Sequence, residues 1–335
     1  MKKTVKERTI YFDVIRIIAC LMVVMMHSPF PLKDDQYSPM LGIVTYLSAP
    51  CNGLFFMASG ALLLGRSLPL ESFMKKRLGR IVWPTVLWSL FYITINYFLD
   101  RESYDLISQI AWIPFYRTDA CGYLWFMYAL LGCYFLVPII EPWLTNSSHR
   151  EQKIVIGVWL LASIVPMITV YLNIPKFDEH GIWYYWGGFF GYFILGWYIA
   201  KNNISWSQIG IAGLLGILLM LLCFKQSSLS VDVNGYLHPY VILFCFAIFA
   251  SVKRLFCFNF KKRFFNSILS ELSACTFGVY LIHYFLLNIW LKHVNIINDL
   301  PIEIGILTRW IITIVVGFLI ILILRKIPGH KYLIG

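Results

Sequence analysis

Residues 12–27 read FDVIRIIACLMVVMMH, a run apolar enough to enter a bilayer that nevertheless carries Asp13, Arg16 and His27. An ionisable side chain at the centre of a membrane costs about 2.5–3.5 kcal/mol on the mildest insertion scale, so its presence in a span marks a functional site by default. Three in one helix need partners. A helix advances about 100° per residue, and the eleven-residue step from Arg16 to His27 leaves the two side chains about 20° apart in azimuth and about 16 Å apart along the axis. Both face the same interior. Asp13 and Arg16, three residues apart, are neighbours on the helix surface and able to pair. A polar track therefore runs along one side of the first helix.

The rest of the 335-residue chain fits a membrane setting. It is 59% hydrophobic and 13% charged, with a mean hydropathy of +0.71, whereas soluble domains carry roughly 25% charged residues. Apolar windows of about 20 residues predict helices near 10–27, 41–64, 82–99, 123–143, 153–173, 184–200, 206–224, 238–256, 271–291 and 303–324. The expected fold is an all-α polytopic transmembrane bundle of about ten helices. With no Ser/Gly-rich or Pro-rich linker, residues 1–335 read as a single integral membrane domain. The basic opening MKKTVKER imitates a signal peptide, but Asp13 and Arg16 interrupt the apolar run and no small-residue cleavage site follows, so it is expected to stay as the first helix. The eight cysteines include no C-x-x-C pair and mostly fall inside apolar spans, which indicates neither a metal site nor a disulfide framework.

The net charge of +11 is explained by its distribution. With the N-terminus in the cytoplasm, twenty Lys and Arg collect on the cytoplasmic side, in 1–9, 65–81, 144–153, Lys201, 252–270 and 325–335, against six on the other side. The positive-inside rule then puts both termini in the cytoplasm and accounts for the basicity without nucleic acid.

Three further stretches carry chemistry. LFFMASGALLL, with Ala58, Ser59, Gly60 and Ala61, reads equally as a helix-packing seam of small residues or as a substrate lining. Lys75, Lys76, Arg77 and Arg80 gather before the third predicted helix, with Arg77 and Arg80 expected on one helix face; they suit either a topology anchor or lipid contact or a diphosphate clamp. In SELSACTFGVYLIHYFLL, the spacing of Ser273, Thr276, Tyr280 and His283 puts all four on one stripe, and a second membrane histidine thereby stands at a depth compatible with His27. Trp125 belongs to an aromatic cluster that serves as an interfacial belt or a sugar-stacking platform. His149, His180, His238, His293 and His330 lie near loops and are expected to be solvated.

A cationic clamp at one face, a polar track and a histidine towards the other suggest a reaction joining a cytoplasmic phosphorylated donor to an external acceptor. His27 would act as general base or as nucleophile, and Arg16 would orient the donor or stabilise developing negative charge. A transporter of a small polar solute uses the same ingredients, although no convincing internal repeat is present.

At this point the residues resemble the acyltransferase-3 family of integral membrane acyltransferases. Asp13, Arg16, Ala19 and His27 match its opening pattern, Phe55, Phe56, Ser59 and Gly60 its FFxxSG segment, and Arg77 and Arg80 its Arg-x-x-Arg followed by Pro84. LWF at 124–126 and GVYLIH at 278–283 resemble its later blocks. In length and in phrases such as RIIACLMVVMMH the chain is most similar to the enterobacterial common antigen O-acetyltransferase group. The resemblance implies a multi-pass protein of the bacterial inner membrane, with acetyl-CoA as donor and a hydroxyl of an envelope glycan or lipid-linked sugar as acceptor. His27 becomes the catalytic histidine with Arg16 and Asp13 in support, Arg77, Arg80 and Lys76 the contacts to CoA phosphates, and Ser59, Trp125, Tyr280 and His283 supporting or substrate-binding residues. Two departures affect the acceptor: Ala61 stands where the family usually has an aromatic, and Asn52-Gly53 where a Val-Pro pair is common. The family also includes domains proposed to import serine.

Overall fold

The computed structural model describes residues 9–29, 39–65, 70–100, 105–171, 181–225, 233–256 and 263–335. Among these no strand occurs, and nine helices are long and apolar enough to cross a membrane. In chain order the α-helices are α1 (Ile10–His27), α2 (Pro39–Ser48), α3 (Pro50–Leu63), α4 (Leu70–Leu99), α5 (Leu106–Trp112), α6 (Trp125–Asn146), α7 (His149–Tyr171), α8 (Phe190–Lys201), α9 (Trp206–Lys225), α10 (Pro239–Phe256), α11 (Arg263–Tyr284), α12 (Asn295–Asn298), α13 (Ile302–Leu324) and α14 (His330–Ile334).

α13 shows how such a helix divides between protein and lipid. Gly305, Arg309, Thr313, Gly317 and Ile321, four apart, are all buried, while Ile311, Val315, Leu319 and Ile323, also four apart, are each at least 51% exposed. A soluble helix would reverse that pattern. Here the polar groups turn inward and the aliphatic stripe meets hydrocarbon.

Four boundaries differ from the sequence-based expectation, each for a local reason. The span predicted at 41–64 is two helices meeting at Ala49, because Pro50 has no N–H to continue the ladder. The helix predicted over 184–200 starts only at Phe190: the preceding Gly187-Gly188 pair includes Gly188 at φ 108°, a conformation that side-chain-bearing residues avoid. At 12 residues it is about 18 Å long, short of the roughly 30 Å of a hydrocarbon core. α4 and α11 begin well before their apolar windows, since their opening stretches, LESFMKKR and RFFNSILSE, are helical while carrying charged and polar residues that a hydropathy window rejects.

The small-residue stretch in α3 is a packing seam. Any side chain at Gly60 would strike the Phe193 backbone, and one at Gly196 the Met57 backbone, so α3 and α8 touch backbone to backbone. α1 lies against α3, α10, α11 and α13. Its place is fixed by Trp310 Nε1 donating to the Leu21 carbonyl at 3.0 Å and by Cys20 Sγ approaching the Thr276 carbonyl at 3.6 Å.

Candidate functional site

His27 is half-buried at the end of α1, and its ring lies on that of Tyr123, with centroids 3.8 Å apart and planes 29° from parallel. His283, on α11, continues the group: its ring centroid is 5.3 Å from that of His27 and 5.6 Å from that of Tyr123, both near parallel. His283 is 1% exposed, its Nδ1 meets the Tyr280 carbonyl, and its Nε2 is buried without a hydrogen-bond partner. Tyr280 in turn donates its hydroxyl to the Tyr123 carbonyl, and the Asn288 side chain lies close to the Tyr123 hydroxyl. His27, Tyr280 and His283 therefore meet, as their depths in the sequence implied. The stripe on α11 is genuine: Ser273, Thr276, Tyr280 and His283 are all buried.

The other end of the track is built on α6. The Tyr134 hydroxyl hydrogen-bonds Ser59 and lies within electrostatic reach of both Arg16 and Arg77. Asp13, three residues before Arg16, is 4% exposed. α1 and the segment leading through α6 thus face each other along matched steps: Arg16 and His27 are eleven residues apart, and so are their respective neighbours Tyr134 and Tyr123. One wall is ionisable, and the other supplies phenols.

Arg77 and Arg80 diverge. Three residues on a helix leave about 60° between side chains, which at the edge of the bundle is enough to separate inside from outside. Arg77 is half-buried and turned towards Arg16 and Tyr134, whereas Arg80 is exposed and lines a separate basic cavity with Arg325. The side chain of Lys76 lies outside the described residues. Trp125 is half-buried near the histidine end, 5.2 Å from Phe189 and 5.3 Å from Tyr236 between ring centroids. Tyr236 reaches back to α1 by donating to Met26 Sδ at 3.2 Å and also bonds Asn52.

Of the histidines expected to be solvated, His149 and His293 are exposed, and His180 lies outside the described residues. His238 and His330 are half-buried. His238 stands 3.7 Å from Cys223 Sγ, and burial pulls its pKa from the ordinary 6.5 to about 4. The acidic residues between α4 and α6 mostly serve their own segment: Asp105 caps α5 through Ser108, and Asp119 accepts from Gln109 at 3.0 Å.

Sequence reading did not identify Tyr92. Its buried hydroxyl donates to the Leu281 carbonyl at 2.7 Å and accepts from the Phe285 N–H at 3.3 Å. Those two backbone groups would bond each other in an uninterrupted α-helix. Tyr92 is inserted between them at the point where α11 gives way to the π-turn 285–290, beside His283 and just before Asn288. Such π-turns recur at functional sites. No local pattern could have singled Tyr92 out among the 20 tyrosines of the chain.

No curated protein and no solved structure matches the chain. A family model described as an acyltransferase domain matches residues 9–326, nearly the whole of it, and with it the helices that hold both ends of the polar track; the chain belongs to the acyltransferase-3 family.

Proposed function

We propose that this membrane acyltransferase transfers an acetyl group from acetyl-CoA to a hydroxyl of an envelope polysaccharide or lipid-linked sugar, with His27 as the general base. The protein then sits in the bacterial inner membrane with both termini in the cytoplasm, as the bias of Lys and Arg favours. Its reaction would then be of the kind carried out by the enterobacterial common antigen O-acetyltransferases that its opening stretch resembles. The observation that carries this reading is the stack of His27 on Tyr123 beside the buried, orphaned Nε2 of His283, a long way along the bundle from the Arg16, Arg77 and Tyr134 group.

The donor's phosphates belong at the cationic stretch of α4, where Arg77 on the inner side and Arg80 on the exposed side each offer a planar fork for phosphate. Its thioester extends along the track past Arg16 towards His27. His27 takes the proton of the acceptor hydroxyl, and the alcohol oxygen attacks the thioester carbonyl. The tetrahedral oxyanion collapses with cleavage of the carbon–sulfur bond, and the departing thiolate takes the proton back from His27. Ester and free thiol result, with no net change in protons. Tyr280 and His283 act as positioning residues: Tyr280 anchors the Tyr123 backbone, and Tyr123 supports the His27 ring. Ser59 holds Tyr134 opposite Arg16, Asp13 supports Arg16, and Trp125 with Tyr236 offers the flat surface a sugar ring needs. Nothing in this chemistry calls for a metal.

His27→Ala is expected to abolish transfer of radiolabelled acetyl groups by the purified protein while leaving its yield and membrane insertion intact. Unchanged acetylation of envelope glycan in cells carrying that variant would remove the assignment.

A further inference from the structure

Beyond the polar track the molecule holds a second, separate basic cavity. Its volume is about 720 Å³, within the range of small-molecule sites. One wall is the first half of α4, with Lys75 and Arg80; the other is the segment after α13, with Arg325, Lys326, His330 and Lys331. None of the lining residues is acidic. Glu271 reaches Arg325 from outside at 2.7 Å, which leaves the cavity strongly cationic. The second wall is firmly docked: Trp88 Nε1 donates to the Leu333 carbonyl at 2.9 Å, Gly329 turns the chain at φ 82°, and Ile334 is buried. Two aromatic rings, Trp83 and Tyr332, also line it, 6.2 Å apart and nearly perpendicular, both more than half exposed.

A fixed concave cluster of like charges repels itself until an anion fills it. Lysine and arginine together suit phosphate esters, the arginines as forks and the lysines as point charges. An anionic lipid headgroup would satisfy the cations, but it has no flat ring to set against Trp83 or Tyr332. A nucleotide has both parts. We propose that this cavity binds a nucleotide bearing several phosphates, with the base against Trp83 and Tyr332 and the phosphates among Lys75, Arg80, Lys326 and Lys331. Resting on the donor reading above, the site would seize the nucleotide end of the acyl donor, and Arg80, one turn from Arg77, would lead the remainder inward.

The test uses the full chain in phosphatidylcholine nanodiscs, with adenosine 3′,5′-bisphosphate as probe and acetyl transfer measured in parallel. Lys326→Gln with Lys331→Gln, both on the exposed rim, is expected to weaken bisphosphate binding and raise the KM for acetyl-CoA by about tenfold or more. Trp83→Leu should weaken binding of the bisphosphate but not of inorganic phosphate. Unchanged binding in the double lysine variant would overturn the proposal. So would discs containing phosphatidylglycerol in which the lipid excludes the bisphosphate at equimolar concentration. If wild-type protein transfers acetyl groups and the lysine variant keeps its KM, the cavity assignment fails and the donor reading stands. If wild-type protein binds the bisphosphate through these lysines but does not use acetyl-CoA, the cavity assignment stands and the donor reading fails.

Discussion

Tyr92→Phe removes one oxygen atom and leaves the ring in place. That oxygen holds apart two backbone groups, the Leu281 carbonyl at 2.7 Å and the Phe285 N–H at 3.3 Å. In a site closed to solvent, an unmade hydrogen bond to a buried group costs about 1–3 kcal/mol, so two orphans would cost about 2–6 kcal/mol if nothing moved. The helix has a way out: the carbonyl and N–H can bond directly as in an ordinary α-helix, which abolishes the π-turn at 285–290. Removing one residue's worth of extra winding rotates everything downstream by about 100°. Asn288 lies in that turn, close to the Tyr123 hydroxyl, and Tyr123 carries the His27 ring. The variant is therefore expected to lose about 2 kcal/mol of stability and at least about tenfold in kcat, the latter equivalent to 1.4 kcal/mol in the barrier. Its KM for the acyl donor should stay unchanged. Thermal unfolding in detergent together with steady-state acyl transfer measures all three. A Tyr92→Phe protein with wild-type Tm and wild-type turnover would refute the account of the inserted hydroxyl.

The two arginines of α4 should separate kinetically. Arg77→Ala is expected to lower kcat and raise KM for acetyl-CoA, because Arg77 faces the interior with Arg16 and Tyr134. Arg80→Ala should raise KM alone, by an amount that shrinks with added salt because the group is exposed; identical kinetics for the two variants would contradict their divergence. Gly60→Val is expected to cut the yield of folded protein and lower Tm, since its side chain meets the Phe193 backbone, which has no room to yield; overpacking of this kind costs about 1–3 kcal/mol or more. His238 is harder to protonate in the folded chain than in the unfolded one, with a pKa of about 4 against an ordinary 6.5. Protonation therefore favours unfolding, so stability is complete above pH 6.5 and falls as pH drops from there towards 4. His238→Gln should flatten Tm across that window, and an unaltered pH profile would show that other groups set it.

Much of the architecture was legible because a bilayer imposes long apolar runs, and because two helices carry their polar residues at helical spacing. The alignment of Arg16 with His27 and the stripe from Ser273 to His283 needed only the pitch of a helix. What hid was whatever depends on a partner from far along the chain. Tyr134 answers Arg16, Tyr123 answers His27 and Tyr92 answers Phe285, yet in a chain that is 17% aromatic no local pattern separates these tyrosines from lipid-facing or packing ones. Hydropathy windows also misplaced the starts of α4 and α11, because their opening stretches are helical while carrying charged and polar residues. The Pro50 break and the late start of α8 were written in single residues, which a 20-residue window averages away.

The geometry also argues for a division of labour along rigid rods. Arg16 and His27 share α1 and lie about 16 Å apart along its axis; Arg77 and Tyr92 share α4 and lie about 22 Å apart. Neither distance can change without breaking a helix, and α1 is held at mid-length by Trp310 and at Cys20 by the α11 backbone. A reaction that needed the guanidinium end and the imidazole end to approach one another would have to melt a buried helix. The alternative is that the ends stay put and the substrate spans them. A long donor, charged at one terminus and reactive at the other, meets that requirement, whereas a compact solute carried stepwise would require at least one of these rods to move.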